Sequence, residues 1–179
     1  SSLDARRMCE ICADVAQVSG AGIMMMSGDI QRGSLCTTNK VSARIEELQF
    51  SLSEGPCLDA FHQDRPVLEP DLAHPTDVRW MAFSGAALEA GVRSIFGFPI
   101  HVGPVKLGAL NLYNDAPGPL TPQQHADCLV LADVVARSVI LMQAHAFGND
   151  ESLRAVARSV VDRSLRFDPP TTATTSEDP

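Results

Sequence analysis

The stretch GVRSIFGFPI (91–100), with HVGP (101–104) and VKLGALNLY (105–113) behind it, decides the fold. Successive residues of a strand point to opposite faces, so a two-residue period marks a sheet. On that period Val92, Ser94, Phe96, Phe98 and Ile100 share one face. In the second segment Val105, Leu107, Ala109, Asn111 and Tyr113 share another. Gly103-Pro104 turns the chain between them. Two strands this close in sequence pair antiparallel, because a parallel pair needs a crossover of a dozen or more residues.

Upstream, residues 80–90 read as a helix closed by Gly91. Residues 66–69 (PVLE) suit an edge strand, since proline belongs at strand starts or edges. Pro56 opens a short helix at its first position, where its missing N–H costs nothing. A helix covers 41–50, and an apolar strand over 21–27 turns at Gly28-Asp29 to meet a partner over 34–38. Residues 3–18 carry Met8, Ile11, Cys12 and Val15 at helical spacing. Downstream, Pro117-Gly118-Pro119 breaks the chain, and Thr121-Pro122-Gln123-Gln124 combines a cap, a first-position proline and a capping-box glutamine. The helix that follows runs to about Ala144, with an apolar face of Leu129, Ala132, Val135, Ala136, Val139 and Met142. The pattern predicts an α+β fold: a central antiparallel sheet with helices on its faces, plus a short C-terminal helical segment.

The 179 residues carry a net charge of −8, which argues against a generally basic nucleic-acid surface. Hydrophobic residues make up 45%, enough for a real core. The longest apolar stretch, Val130 to Met142, is interrupted by Asp133 and Arg137 and is too short to span a bilayer. Five cysteines with no secretory mark make a disulfide scaffold unexpected and a reducing cytosol the default. Cys9-x-x-Cys12 has no second pair to complete a zinc site, so it reads as two small core residues on one helix face. Cys57 follows Pro56 at a helix N-terminus, a position that lowers a thiol pKa. It is read either as a reactive or ligand-sensing thiol or as a buried cap. No Ser-His-Asp set, Walker loop, HExxH or GxGxxG is present, and His62, His74, His101, His125 and His145 are scattered. The expectation is a module without catalytic activity.

The series EGPCLDA (54–60), RPVL (65–68), Asp71-Leu72, RWMAF (79–83), GVRSIF (91–96), FPI (98–100), LGALNLY (107–113) and PGPLT (117–121) closely resembles the GAF domain of actinobacterial GAF–ANTAR regulators. The resemblance covers about residues 3–144. It implies a sensory domain over 1–144, a ligand-binding or dimerising role, and an RNA-binding ANTAR output. On a fold of this type the segment around Asp71, Arg79, Trp80 and Phe83 lies over one sheet face. With Cys57, Phe96, Phe98 and Tyr113 these residues are the candidate lining of a small-molecule pocket. The alternative is plain core, with Arg79 pairing to Asp71 or Asp77.

Residues 145–167 resemble the end of an ANTAR domain whose earlier helices are absent. Leu153, Val156, Ala157 and Val160 form an apolar stripe. Arg154, Arg158, Arg163 and Arg166 flank it, giving a net +1 against Asp150, Glu151 and Asp162. They are the candidate RNA contacts. Residues 168–179 are Pro/Thr-rich and expected to be disordered. The expected protein is thus a cytoplasmic transcription-antitermination regulator, homodimeric, with an unidentified small ligand and no membrane partner. Two alternatives stand beside it: an enzyme resembling free methionine sulfoxide reductases, which would need Cys36 and Cys57 close together, and a purely structural dimerisation module.

Overall fold

The computed structural model describes residues 2–149. The elements run α1 (Ser2–Ala16), β1 (Gly20–Ser27), β2 (Ile30–Thr37), α2 (Lys40–Leu52), α3 (Pro56–Gln63), β3 (Val67–Glu69), α4 (Met81–Glu89), β4 (Ser94–Val102), β5 (Val105–Asn114) and α5 (Pro122–Asn149). The five strands form one antiparallel sheet in the order β2-β1-β5-β4-β3. The α+β expectation holds, and the expected hairpin at its heart forms between β4 and β5, starting at Ser94 rather than Val92.

Each face of the sheet has its own helices. Ile23, Phe96, Phe98, Ile100, Leu110 and Leu112 point toward α1 and α5, where Cys12, Ala13, Cys128, Ala132, Val135, Ala136 and Val139 meet them. On the other face Met24, Met26 and Ala109 pack against Cys57, Leu58 and Phe61 of α3. Ile95 and Tyr113 pack there against Ile45 and Leu48 of α2 and Phe83 and Ala87 of α4.

Three expectations about faces are corrected. Val92 precedes β4 and packs with Ile45, Phe83 and Ile95, on the opposite side from Phe96, Phe98 and Ile100. Leu107 does not share a face with Ala109, Asn111 and Tyr113. Ile100 pairs with Gly108 and His101 with Lys106, so Leu107 is an extra residue in a β-bulge, and the alternation changes phase there. It joins the α1/α5 core instead. Gly108 is needed beside the bulge because a Cβ would collide with the Met24 carbonyl of β1. Leu129, assigned to the apolar core face of the last helix, is 46% exposed.

The end of the sheet is tied by side chains. The Thr121 capping box forms as expected: Gln124 N donates to Thr121 Oγ1 at 3.1 Å, and Thr121 N donates to Gln124 Oε1 at 2.9 Å. Gln124 Nε2 also donates to the Ala16 carbonyl at 3.0 Å, joining the start of α5 to the end of α1.

No disulfide scaffold was expected, yet one disulfide is present. Cys9 of α1 and Cys36 of β2 form one, with Cα atoms 6.1 Å apart. Helix α1 lies across β1 and β2, so residues separated by 27 positions become neighbours. The reducing-compartment argument built on cysteine count therefore loses its premise. Cys12, the other half of the CxxC, is a buried free thiol pushed by burial up to about 11, an inert core residue as read.

Candidate functional site

The segments 54–60 and 79–83 interlock over the α2–α4 face. Glu54 Oε2 accepts from the N–H groups of Ala82 and Phe83 at 3.0 and 3.1 Å, capping α4 from 28 residues away. Asp59 Oδ2 accepts from Trp80 Nε1 at 2.8 Å. Trp80 itself sits in the left-handed region at φ 54°, ψ 54°. That conformation costs a bulky residue on the order of 1–3 kcal/mol and persists only where its surroundings fix it. Here the Asp59 bond, the edge-on Phe83 ring and the Arg79 guanidinium 4.2 Å above the indole supply that support.

The predicted lining residues divide between the two faces. Trp80, Phe83 and Tyr113 belong to one cluster under the interlocked lid. Phe96 and Phe98 point the other way, into the α1/α5 core. No single pocket contains all of them, because alternate residues of β4 cannot serve the same face as Ile95. Asp71 acts locally: Oδ1 accepts from Ala73 N and His74 N at 3.2 and 3.3 Å. Arg79 pairs with neither Asp71 nor Asp77. Its Nη2 donates to the Leu68 carbonyl at 3.0 Å and lies 3.5 Å from Glu69 Oε2. Tyr113 OH donates to Asn39 Oδ1 at 3.1 Å, bracing the side chain that caps α2 through Ser42 N.

Cys57 is fully buried, and its thiol lies well above the ordinary value. Burial is the main cause and the nearby Glu46 adds to it, while a Gln49 hydrogen bond opposes both. Desolvation outweighs the helix N-terminus, so the activated-thiol reading is corrected. The methionine sulfoxide reductase geometry also fails: Cys36 is bonded to Cys9 on the α1/α5 side, and Cys57 lies on the opposite face.

Beneath the lid lies a group of which sequence reading selected only Cys57. Glu46 and Gln49 of α2, Cys57 of α3 and Asn111 of β5 are all buried. Asn111 pairs with Gly22 on one side and Gly97 on the other. This glycine–asparagine–glycine row removes side chains where the helices come closest. A Cβ on Gly22 would lie 2.5 Å from Glu46 Oε1, and one on Gly97 would lie 2.5 Å from the Pro56 carbonyl. Gln49 Oε1 accepts from Cys57 N at 2.9 Å.

The polar capacity of this group is incompletely used. Glu46 Oε1, Gln49 Nε2 and both amide atoms of Asn111 have no aligned partner. Burial raises the Glu46 carboxyl to about 8, and a contact with the Asn111 amide, too poorly aligned to satisfy either group fully, opposes the shift. At neutral pH Glu46 is therefore mainly a neutral carboxylic acid, able to donate as well as accept. Buried polar atoms normally find well-aligned partners, so a cluster whose members meet only through a poor Glu46–Asn111 contact is a candidate site. The only signals in the sequence were Glu46 and Gln49 facing inward on a helix and Asn111 among apolar strand residues.

The C-terminal candidates Arg154, Arg158, Arg163 and Arg166 lie outside the described residues. Helix α5 itself continues past 144 to Asn149. No described helix is long and apolar enough to cross a membrane.

The family model described as GAF domain matches residues 5–136. Among solved structures, a domain assigned to a two-component sensor histidine kinase protein of Sinorhizobium meliloti 1021 superposes with a TM-score of 0.64 at 12% identity, covering 82% of this chain and 94% of that one. A GAF domain/HD domain protein from Geobacter sulfurreducens gives 0.60 at 14% identity, covering 80% and 95%. A type II free methionine-R-sulfoxide reductase from Thermoplasma acidophilum gives 0.55 at 14% identity, covering 75% and 91%. At these identities the likeness is one of fold alone. A comparison with curated protein sequences finds no match.

Proposed function

Since the chain belongs to the GAF domain family, we propose that it is a ligand-sensing regulatory module without catalytic activity, whose ligand binds on the α2–α4 face. One observation carries this reading: the convergence of Glu46, Gln49 and Asn111, buried and with unused hydrogen-bonding atoms, beneath the lid held by Glu54 and Asp59. A small ligand with adjacent donors and acceptors suits that set of neutral polar groups. Asp71, Arg79, Trp80, Phe83 and Tyr113 would form or brace the surrounding wall, and Cys57 would contribute bulk rather than reactivity. Native mass spectrometry of gently purified full chain tests this. A retained small molecule that is lost on Asn111→Ala supports it. A bare protein whose melting temperature ignores a library of neutral polar metabolites would favour a pure interaction module.

The output reading rests on the resemblance of residues 145–167 to an ANTAR ending. We assign RNA contact to Arg154, Arg158, Arg163 and Arg166, in a cytoplasmic antitermination regulator. The net charge of −8 opposes phosphate binding, so affinity for structured RNA should be weak and fall steeply with salt. Tight, loop-sequence-dependent binding in an anisotropy titration would refute that weakness. Homodimerisation is supported by exposed apolar residues on the two packed helices: Ile11 and Val15 of α1, and Val130, Val134 and Leu141 of α5. A second copy would cover this stripe. Sedimentation of Val134→Glu should then give a monomer where the parent chain gives a dimer.

A further inference from the structure

Helix α1 meets the sheet through its smallest side chains. Among its described residues the buried ones are Cys9, Cys12, Ala13 and Ala16. The larger Ile11 and Val15 face outward, 48% and 47% exposed, and Met8 is half-buried. The apolar stripe of this helix is Met8, Ile11, Cys12 and Val15, and the buried set is that stripe displaced by one position. One position on a helix is a turn of about 100°. The helix is therefore docked one residue away from the rotation that would bury its own larger side chains.

The Cys9–Cys36 bond accounts for that setting. It holds position 9 against β2 and so fixes the roll of the helix about its axis. Little else does. Gln124 binds the Ala16 carbonyl at the far end of α1, and the Arg6–Glu10 pair lies within the helix. Among the described residues, no hydrogen bond or ion pair joins positions 6–12 to another element. A helix of 15 residues is marginal by itself, and burying alanine and cysteine removes little apolar surface from water. The bond also lies at the margin of the fold. Strand β2 is an edge of the sheet, and Cys36 keeps 7% of its surface exposed where Cys9 keeps none. Local opening of such an edge costs less than global unfolding.

We propose that Cys9–Cys36 is a redox latch: it holds α1 in this rotation, and exchange with a dithiol reductant releases the helix to turn. A thiolate of the reductant attacks the Cys36 sulfur, the more exposed of the two. The Cys9–Cys36 bond breaks, and Cys9 leaves as a thiolate that takes up a proton. The second thiol of the reductant then attacks the mixed disulfide, closing the reductant's own disulfide and returning Cys36 as a thiol. Run backwards, the same exchange restores the latch. In the cytoplasmic setting proposed above, disulfides are usually of this exchangeable kind. Once freed, α1 can bury Ile11 and Val15 in place of Ala13 and Ala16, and Cys12, common to both sets, stays covered. Helix α1 packs on α5, so its roll reaches the helix that leads to the C-terminal segment. A second copy seated on Ile11 and Val15 would lose both contacts on release; that consequence rests on the dimer reading, and the latch does not.

Hydrogen exchange of the full chain, followed by mass spectrometry with and without dithiothreitol, tests the latch. Reduction should speed exchange in residues 6–16 roughly tenfold more than in β4 and β5. Cys9→Ser combined with Cys36→Ser should show the fast α1 pattern in both conditions, and Cys12→Ala should leave the response to dithiothreitol intact. Under denaturing conditions iodoacetamide should label Cys9 and Cys36 only after reduction. Equal acceleration of α1 and the β4–β5 hairpin would make the bond a general staple and overturn the latch. Unchanged exchange in α1, or labelling of Cys9 and Cys36 before reduction, would overturn it as well. Sedimentation of the same samples separates the dimer reading: a parent chain that is monomeric in both states refutes that reading, while the exchange data still decide the latch.

Discussion

Replacing Glu46 with glutamine should change how stability depends on pH. The folded carboxyl titrates near 8 because burial disfavours its charge, whereas its ordinary value is 4.5. Between these values the folded protein keeps a proton that the unfolded chain has lost. Stability is therefore full below about 4.5 and falls as pH rises, until the folded carboxyl also ionises near 8. The slope is about 1.4 kcal/mol per pH unit, so the accumulated cost is on the order of a few kcal/mol, a large share of a typical domain's stability. Glutamine keeps the shape and a donor but cannot ionise. Urea unfolding of parent and Glu46→Gln proteins at several pH values across this window measures the effect. The stability of Glu46→Gln relative to the parent should grow by about 1.4 kcal/mol per unit and level off near the folded pKa. Parallel curves with a constant offset would refute the reasoning and show that Glu46 is ionised or solvated in the folded state.

Three further outcomes are expected. Breaking the Cys9–Cys36 bridge, by reductant or by Cys9→Ala with Cys36→Ala, opens a 27-residue loop and should cost about 3.6 kcal/mol by chain entropy; an unchanged melt on reduction would contradict this. Thr121→Ala removes the α5 cap and should cost about 1 kcal/mol, read by thermal melts. Phe98→Ala empties a fully buried position in the α1/α5 core and should cost about 3–5 kcal/mol; a variant that unfolds cooperatively with its midpoint unmoved would refute this.

Local chemistry made much of the fold legible. The β4–β5 hairpin follows from two-residue alternation, and the start of α5 follows from Thr121, Pro122 and Gln124, whose roles span one turn of chain. Leu107 defeated the same rule because a bulge adds a residue without any mark in the letters. The disulfide was hidden for a different reason: it depends on how α1 crosses β2. The site was harder still. Phe96 and Phe98 were grouped with Trp80 by aromatic character, but strand parity sends them to the opposite face. Cys57 stood open between a reactive thiol and a buried cap, because its burial against α2 and Glu46 depends on contacts that its place at a helix start does not reveal. Glu46 and Gln49 share one face of α2, but Asn111 comes from the distant strand β5, and the glycines flanking it let helix and strand approach closely enough to form one cluster.

Helix α5 runs unbroken from Pro122 to Asn149, 28 residues, or about 42 Å at 1.5 Å per residue. Its burial against the sheet reaches Val139. Rotational phase is thus fixed at one end and transmitted to the other. Each residue inserted between these points would turn everything beyond it by about 100°. Seven residues would leave the phase off by only about 20°. Grafting this domain onto an effector is consequently a problem of counting residues in the joint, and fusions differing by a single residue there should present the effector in nearly perpendicular directions.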